Sequence, residues 1–289
     1  MKLKGHSDFK LELIADFNRY MVKKSGKSRL IKQYEKQREM KTLIEKNQEL
    51  SYLFEVPSVI MAEQGSEYQE CYFTMPFYNG KNILDVLEYG DITELDSLIH
   101  KLFIYLNWEL DNSKDWDVKN AIITKLYDIK GKINDPKITE IIKSLLGIVE
   151  LSSDVTVPVG ICHGDFTFSN MIFTNKIILI DFLDSFVESP IQDIAKILQE
   201  LRLKWTLLMD NPKERDLTKI KIGYNYLYKE IYEILHALYE EYLPVIELFY
   251  MITLLRIIPY TSKDSAIYDI LTKEIERVYD ENFGSPYSR

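Results

Sequence analysis

The sequence predicts an α+β protein in two parts, a small antiparallel sheet with one helix followed by a larger, mostly helical region. Three observations predict it. Up to about residue 78 the apolar residues follow the two-residue period of strands, apart from one stretch over 30–50 that lacks Gly and Pro. After Asn79-Gly80 the spacing turns helical. Short buried-strand patterns then return at 155–182, inside the helical region. The change of period sets a boundary between an N-terminal part, 1–78, and a C-terminal part, 79–289.

Residues 9–24 alternate as two strands joined near Asp16-Phe17-Asn18, which is a hairpin. The 30–50 stretch, rich in Lys, Glu, Gln and Leu, reads as one long helix. Strands at 58–62 and 70–75 follow, separated by the Gly65-Ser66-Glu67 turn and closed by Pro76. Helices are expected at 83–89, 93–110, 117–127 and 138–151. Strand chemistry returns at Val155, with strands at 155–162, 171–174 and 177–182, and 190–278 is helical again.

Composition narrows the function classes. A chain of 289 residues that is 46% hydrophobic can bury a large core. Its 36 Lys and Arg against 45 Asp and Glu leave a net charge of −9, which disfavours nucleic acid or an anionic membrane surface as partner. The apolar run 242–260 is broken by Pro244, Glu247 and Arg256 and reads as a buried helix, with no membrane role. Met1-Lys2-Leu3-Lys4-Gly5-His6 has no apolar secretory core, so a cytoplasmic protein is expected. Cys71 and Cys162 lie far apart in apolar or aromatic surroundings and read as packed, reduced thiols.

The chemistry concentrates at residues 161–181. Asp165 and Asn170 lie five positions apart in a loop between two apolar stretches, and Asp181 ends the run Ile177-Ile178-Leu179-Ile180. Three oxygen-bearing side chains can therefore be aimed at one place. Phosphoryl transfer to a hydroxyl needs this kit: a carboxylate to orient and deprotonate the nucleophile, and hard oxygens to hold Mg²⁺ on the nucleotide phosphates. Asp165 suits the first role, Asn170 and Asp181 the second. Taken singly, Asp181 could cap a turn, Asn170 could make an Asx-turn and His163 could be a core histidine.

His163-Gly164-Asp165 with Asn170, then Ile180-Asp181-Phe182, then Asp193-Ile194-Ala195-Lys196, resembles the aminoglycoside phosphotransferase and choline kinase superfamily. The resemblance implies a two-lobed, protein-kinase-like fold and a kinase that uses ATP and Mg²⁺ on a small-molecule hydroxyl. It implies that Asp165 is the catalytic Asp, that His163 orients its loop, that Asn170 and Asp181 bind metal, and that Asp193 braces the loop. It also implies a strand lysine on the α- and β-phosphates, paired with a helix Glu. Lys23 and Lys24 compete; alternation puts Lys23 on the face of Met21, opposite Tyr20 and Val22, and this favours Lys23. Glu39 has the spacing more like the family's, with Glu35 one turn away. Phe73 to Gly80 resembles an adenine-binding hinge, with the N–H groups of Met75 or Phe77 and neighbouring carbonyls as candidates because Pro76 has no N–H. The first hairpin has no Gly-rich loop, unlike many kinases.

Gly26-Lys27-Ser28 mimics the tail of a P-loop, but the leading Gly would fall at Met21, so a plain turn is expected. His-Arg-Asp, Asp-Phe-Gly and Ala-Pro-Glu are absent, which argues against a protein kinase. An inactive nucleotide-binding module is the contrasting class, and the intact Asp165, Asn170 and Asp181 speak against it. The stretch from Asp181 to Pro190 is similar to bacterial phosphotransferases encoded among surface-polysaccharide genes, which implies a sugar, polyol or choline-like amino-alcohol acceptor over an aminoglycoside. Asp184, Ser185 and Glu188 could touch that acceptor, although Ser189-Pro190 equally reads as a helix start. The tyrosines and acids of 205–250 would suit an amine, yet the same spacing reads more simply as helix core and solvated face.

Overall fold

The computed structural model describes residues 10–16, 19–26, 29–63, 71–210 and 212–284. Its strands are β1 (Lys10–Asp16), β2 (Arg19–Gly26), β3 (Phe54–Glu55), β4 (Met61–Glu63), β5 (Cys71–Pro76), β6 (Ser113–Asp117), β7 (Thr156–Gly160), β8 (Met171–Phe173) and β9 (Ile177–Leu179). The chain divides into two compact units, Met1–Gly90 with Phe168–Asp184, and Asp91–Thr167 with Ser185–Arg289. This division differs from a single cut at residue 78 through strand pairing. β9 lies parallel to β3 and antiparallel to β8, which ties 168–184 to the N-terminal segment.

In the first unit, β1 and β2 form the expected hairpin, with Leu13 opposite Val22 and Asp16 opposite Arg19; its tip, like Gly65-Ser66-Glu67 and Lys27-Ser28, lies outside the described residues. The antiparallel sheet has the order β1-β2-β5-β4. Helix α1 (Arg29–Lys46) buries Leu30 and Tyr34 in a core with Val22, Cys71, Phe73 and Met75. The expected 30–50 helix is two helices. Asn47 stops the first and caps α2 (Gln48–Leu53) by accepting the Leu50 N–H, the end chemistry that Asn favours. α3 (Ile83–Tyr89) begins with an Asn82–Asp85 capping box. Ahead of it Lys81 exchanges backbone hydrogen bonds with Phe173, and a Cβ on Gly80 would sit 2.7 Å from the Phe173 carbonyl, so glycine permits this approach.

The second unit is built on α4 (Ile92–Asp111), α5 (Lys119–Lys130), α6 (Pro136–Leu151), α7 (Pro190–Leu203), α8 (Trp205–Asp210), α9 (Leu217–Leu238), α10 (Leu243–Leu255) and α11 (Ala266–Asn282). Strand β6 was not legible, because Ser113-Lys114-Asp115-Trp116-Asp117 is polar and mostly exposed; it exists by pairing with β7. Asp117 therefore ends β6 instead of opening a helix, its Oδ1 accepting the Lys119 and Val155 N–H groups on either side of the helical insertion between β6 and β7. Ser189 caps α7 with Pro190 at its first position, so that dipeptide is a helix start. α10 is buried from Ile246 to Leu255 on every face, the signature of a core helix, and it occupies the apolar run 242–260.

One charge pair is enclosed with that core. Arg202 of α7 meets Glu247 of α10 through two hydrogen bonds of 2.8 and 2.5 Å, and Tyr250 lies under the guanidinium at 4.7 Å. The two side chains are 7% and 10% exposed, so neither charge can turn to water if the other is lost. Arg202→Met should cost about 3–5 kcal/mol in urea unfolding, and adding Glu247→Leu should recover most of it, because the hydrophobic pair leaves no stranded carboxylate.

Candidate functional site

In the first unit the site is built on the end of the β8–β9 hairpin. With Met171 opposite Leu179 and the Ile180 N–H donating to the Asn170 carbonyl at 3.1 Å, Asn170 and Asp181 leave the same end of the ladder. Asp181 has φ 64°, a left-handed conformation that Asp tolerates better than most residues but that still costs free energy. Its Oδ1 accepts from the Lys24 ammonium at 2.7 Å, and the lysine side chain is 0% exposed. An ammonium out of reach of water needs such a partner, and the carboxylate, 28% exposed, keeps one edge toward solvent.

Lys24 thus stands where Lys23 was expected. Val22 and Lys24 share the core face, and it is this face that leads to Asp181. Lys23 instead lies over the Tyr72 ring at 4.2 Å. Glu39 is exposed, as is Glu35, because α1 turns Leu30, Gln33, Tyr34, Gln37 and Met40 inward and Glu39 falls on the opposite face. The helix reaches the segment after Asp181 through lysines: Lys36 donates to the Leu183 carbonyl at 2.7 Å, and Lys32 lies 3.3 Å from Asp184. Sequence reasoning missed Lys36, which is one of many lysines on that helix.

The hinge donors are also corrected. The Phe77 N–H is spent on the Tyr20 carbonyl at 3.0 Å, and the two-residue alternation of the ladder turns the Met75 N–H toward its partner Val22. The Met75 side chain is buried and its sulfur accepts from Gln37. The same alternation turns the Pro76 carbonyl away from β2.

The second unit holds the loop His163–Thr167. Asp193, fully buried in the first turn of α7, accepts the His163 N–H at 2.5 Å and the Gly164 N–H at 2.8 Å. Gly164 has φ 84°, which glycine adopts without strain. The Asp165 N–H donates to His163 Nδ1 at 3.3 Å, and the Thr167 N–H donates to the Asp165 carbonyl at 2.8 Å. His163 is 0% exposed and packs on Phe166, which stacks on Tyr105. The imidazole is thus enclosed within the unit. Asp165 projects from the loop, 26% exposed, with Lys196 of α7 at 2.9 Å. Glu188 is used up locally: it accepts from the Ser185 N–H and the Cys162 thiol, and its carbonyl accepts from Gly160.

The residues fit a Mg²⁺-nucleotide. Among the described residues no group of three His, Cys, Asp or Glu forms a metal cage, but Mg²⁺ needs only one or two protein oxygens beside phosphates and water, as Asn170 and Asp181 offer. Elsewhere in the second unit a cavity of about 480 Å³ is lined by Asp111, Asp115, Tyr239 and Tyr242. Burial and the neighbouring Asp111 push the Tyr239 phenol up to about 12. Tyr224 and Tyr250 are core residues, bonded to Glu200 and Glu274.

A family model described as APH, phosphotransferase enzyme family, matches residues 11–234. Among solved structures, a thermostable mutant of aminoglycoside phosphotransferase APH(4)-Ia matches with a TM-score of 0.67 at 13% identity, over 99% of this chain and 95% of that one. A GDP and kanamycin complex of APH(2")-IIia matches at 0.53 and 14% identity, over 95% and 94%. At these identities the likeness is one of fold. A Mycoplasma pneumoniae protein described as an uncharacterized MG356 homolog is 39% identical over 78 residues, which is 26% of this chain and 27% of that protein.

Asp193→Ala should destabilise the protein by at least about 3 kcal/mol in urea unfolding, since it strands two buried N–H groups at once. Asp193→Asn, which keeps one acceptor oxygen, should lose less.

Proposed function

This chain belongs to the phosphotransferase enzyme family, and from that premise we propose that it transfers the γ-phosphate of ATP to a hydroxyl of a sugar, polyol or amino alcohol in the cytoplasm. The observation that carries the reading is the buried Lys24 on Asp181, because a shielded cation beside a metal-type carboxylate is the equipment for nucleotide phosphates. When bound, Mg²⁺ supplies charge neutralisation on those phosphates, and Asn170 and Asp181 would hold it. Lys24 would add its ammonium to the α- and β-phosphates. The adenine edge would bond the Pro76 carbonyl, which the ladder leaves facing away from β2.

Asp165 orients the acceptor hydroxyl and takes its proton as the acceptor oxygen bonds to the γ-phosphorus. The bond from that phosphorus to the bridging oxygen breaks and ADP leaves. His163, Gly164 and Asp193 hold the loop, so the carboxylate is placed before the acceptor arrives. The acidic, tyrosine-walled cavity and the net charge of −9 support an acceptor that carries an amine.

Two measurements test this reading. ADP release should be seen with ATP, Mg²⁺ and at least one member of a panel of amino alcohols, monosaccharides and aminoglycosides, and Asp165→Asn should lower turnover at least about 10³-fold with unchanged melting temperature. A response confined to aminoglycosides would overturn the acceptor class; nucleotide binding with no transfer to any acceptor would make the chain an inactive nucleotide-binding module. In nucleotide titrations Lys24→Met should weaken ATP at least about tenfold, as expected for one lost charge-assisted contact, while Lys23→Met and Glu39→Ala should stay within about twofold.

A further inference from the structure

Asp181 adopts its φ of 64° two residues beyond Leu179, the last residue of the β9 ladder. A left-handed conformation at such a residue persists only where its surroundings hold it. On one side the Ile180 N–H donates to the Asn170 carbonyl at 3.1 Å. On the other Phe182 is fully buried, and the carbonyl of Leu183, two residues past the aspartate, accepts from the Lys36 ammonium at 2.7 Å. Lys36 stands at the margin of the buried face of α1, between Gln33, 3% exposed, and Gln37, 1% exposed. The lysine is itself half-buried, so its bond to a carbonyl is stronger than the same bond in open solvent. An ammonium has three hydrogens, so further partners of Lys36 leave this bond in place. Helix α1 also shares a core with the strand that carries Lys24, Leu30 and Tyr34 packing with Val22 and Phe73. The lysines that reach Asp181 and Leu183 therefore come from two elements of one core.

We propose that Lys36 is a positioning residue for Asp181, an inference that rests on the phosphotransferase reading above. Lys24 holds the carboxylate by its Oδ1, and Lys36 holds the backbone that carries it, by fixing the chain two residues on. With the Leu183 carbonyl held, a rotation of the chain at Asp181 has to break a charge-assisted hydrogen bond. Mg²⁺ demands near-ideal octahedral geometry, so a small error in the placement of one of its few protein oxygens weakens its binding. Helix α1 thus acts on the phosphate site through a lysine and the backbone of 181–184, where an acid paired with the strand lysine was expected. Lys32 is the natural control: it lies 3.3 Å from Asp184 but is 72% exposed, and an ion pair in open solvent adds little.

The test compares the parent with Lys36→Met, Lys36→Arg and Lys32→Met, each checked for unchanged melting temperature, and follows ATP binding by titration with Mg²⁺ and in EDTA, so that no acceptor is needed. Lys36→Met should raise the Mg²⁺ concentration for half-maximal ATP binding at least about tenfold, as for other groups that orient a metal ligand, with affinity in EDTA unchanged. Lys36→Arg, which keeps a cationic donor, should restore most of the loss, and Lys32→Met should stay within about twofold of the parent. Independently of nucleotide, the Leu183 and Asp184 amides should exchange with deuterium at least about tenfold faster in Lys36→Met, because the segment opens more readily once its tether is gone. An equal loss of affinity in EDTA would make Lys36 a prop for the whole nucleotide site and overturn the proposal. So would an unmoved Mg²⁺ dependence, unmoved exchange at 183–184, or an Arg variant no better than Met. If the parent binds ATP under neither condition, the phosphotransferase reading fails and the positioning role falls with it; the exchange rates then still report whether the tether holds.

Discussion

A lysine ammonium sealed from water constrains much of the first unit. Lys24 is fully buried at the core face of β2, and its charge is tolerable there because Asp181 Oδ1 lies 2.7 Å away. For the carboxylate to be at that point, β9 must end where it does, paired with β3 on one side and β8 on the other. The residue after that hairpin must then take a left-handed turn, as Asp181 does. The β2 register is fixed on both sides, by β1 and by β5, and a slip of one residue would carry the ammonium to the opposite face of the sheet. Strand register, hairpin length and backbone strain are thus linked through one ion pair.

A comparable economy governs the second unit. The first turns of α7 supply a carboxylate to the loop backbone and an ammonium to the loop's own acid, so the geometry of residues 163–165 is set by one rigid helix. The helix is itself held by Ser189 and Pro190 at its start and by the Arg202–Glu247 pair toward its end. Such a loop needs an anchor, because a short segment with positive φ at Gly164 would otherwise sample several conformations.

The reading of the sequence succeeded where chemistry is carried by residue type and offset. The loop at His163-Gly164-Asp165 leads through one short turn to Asn170, and a helix starts at Ser189-Pro190, as expected, whereas β9 stops at Leu179 and Asp181 lies two residues beyond it. It failed where the answer depends on rotation about an element or on a partner. Glu39 looks suitable by spacing, yet the phase of α1, set by Leu30, Tyr34, Gln37 and Met40 against the sheet, turns it to solvent. Phe77 looks like a free donor until β2 is seen to take its N–H.

The sequence by itself determined the two kinds of region, the family resemblance and the acidic and amide residues that phosphoryl transfer requires, because periodicity and local offsets are written in the chain order. Only the tertiary structure decided that Lys24 and not Lys23 meets Asp181, that residues 168–184 fold with the N-terminal segment, and that Lys196 sits on Asp165. Each of these joins residues far apart in the chain, or depends on which of two faces is buried, and the free energy that selects among such pairings comes from burial and charge compensation in the folded molecule.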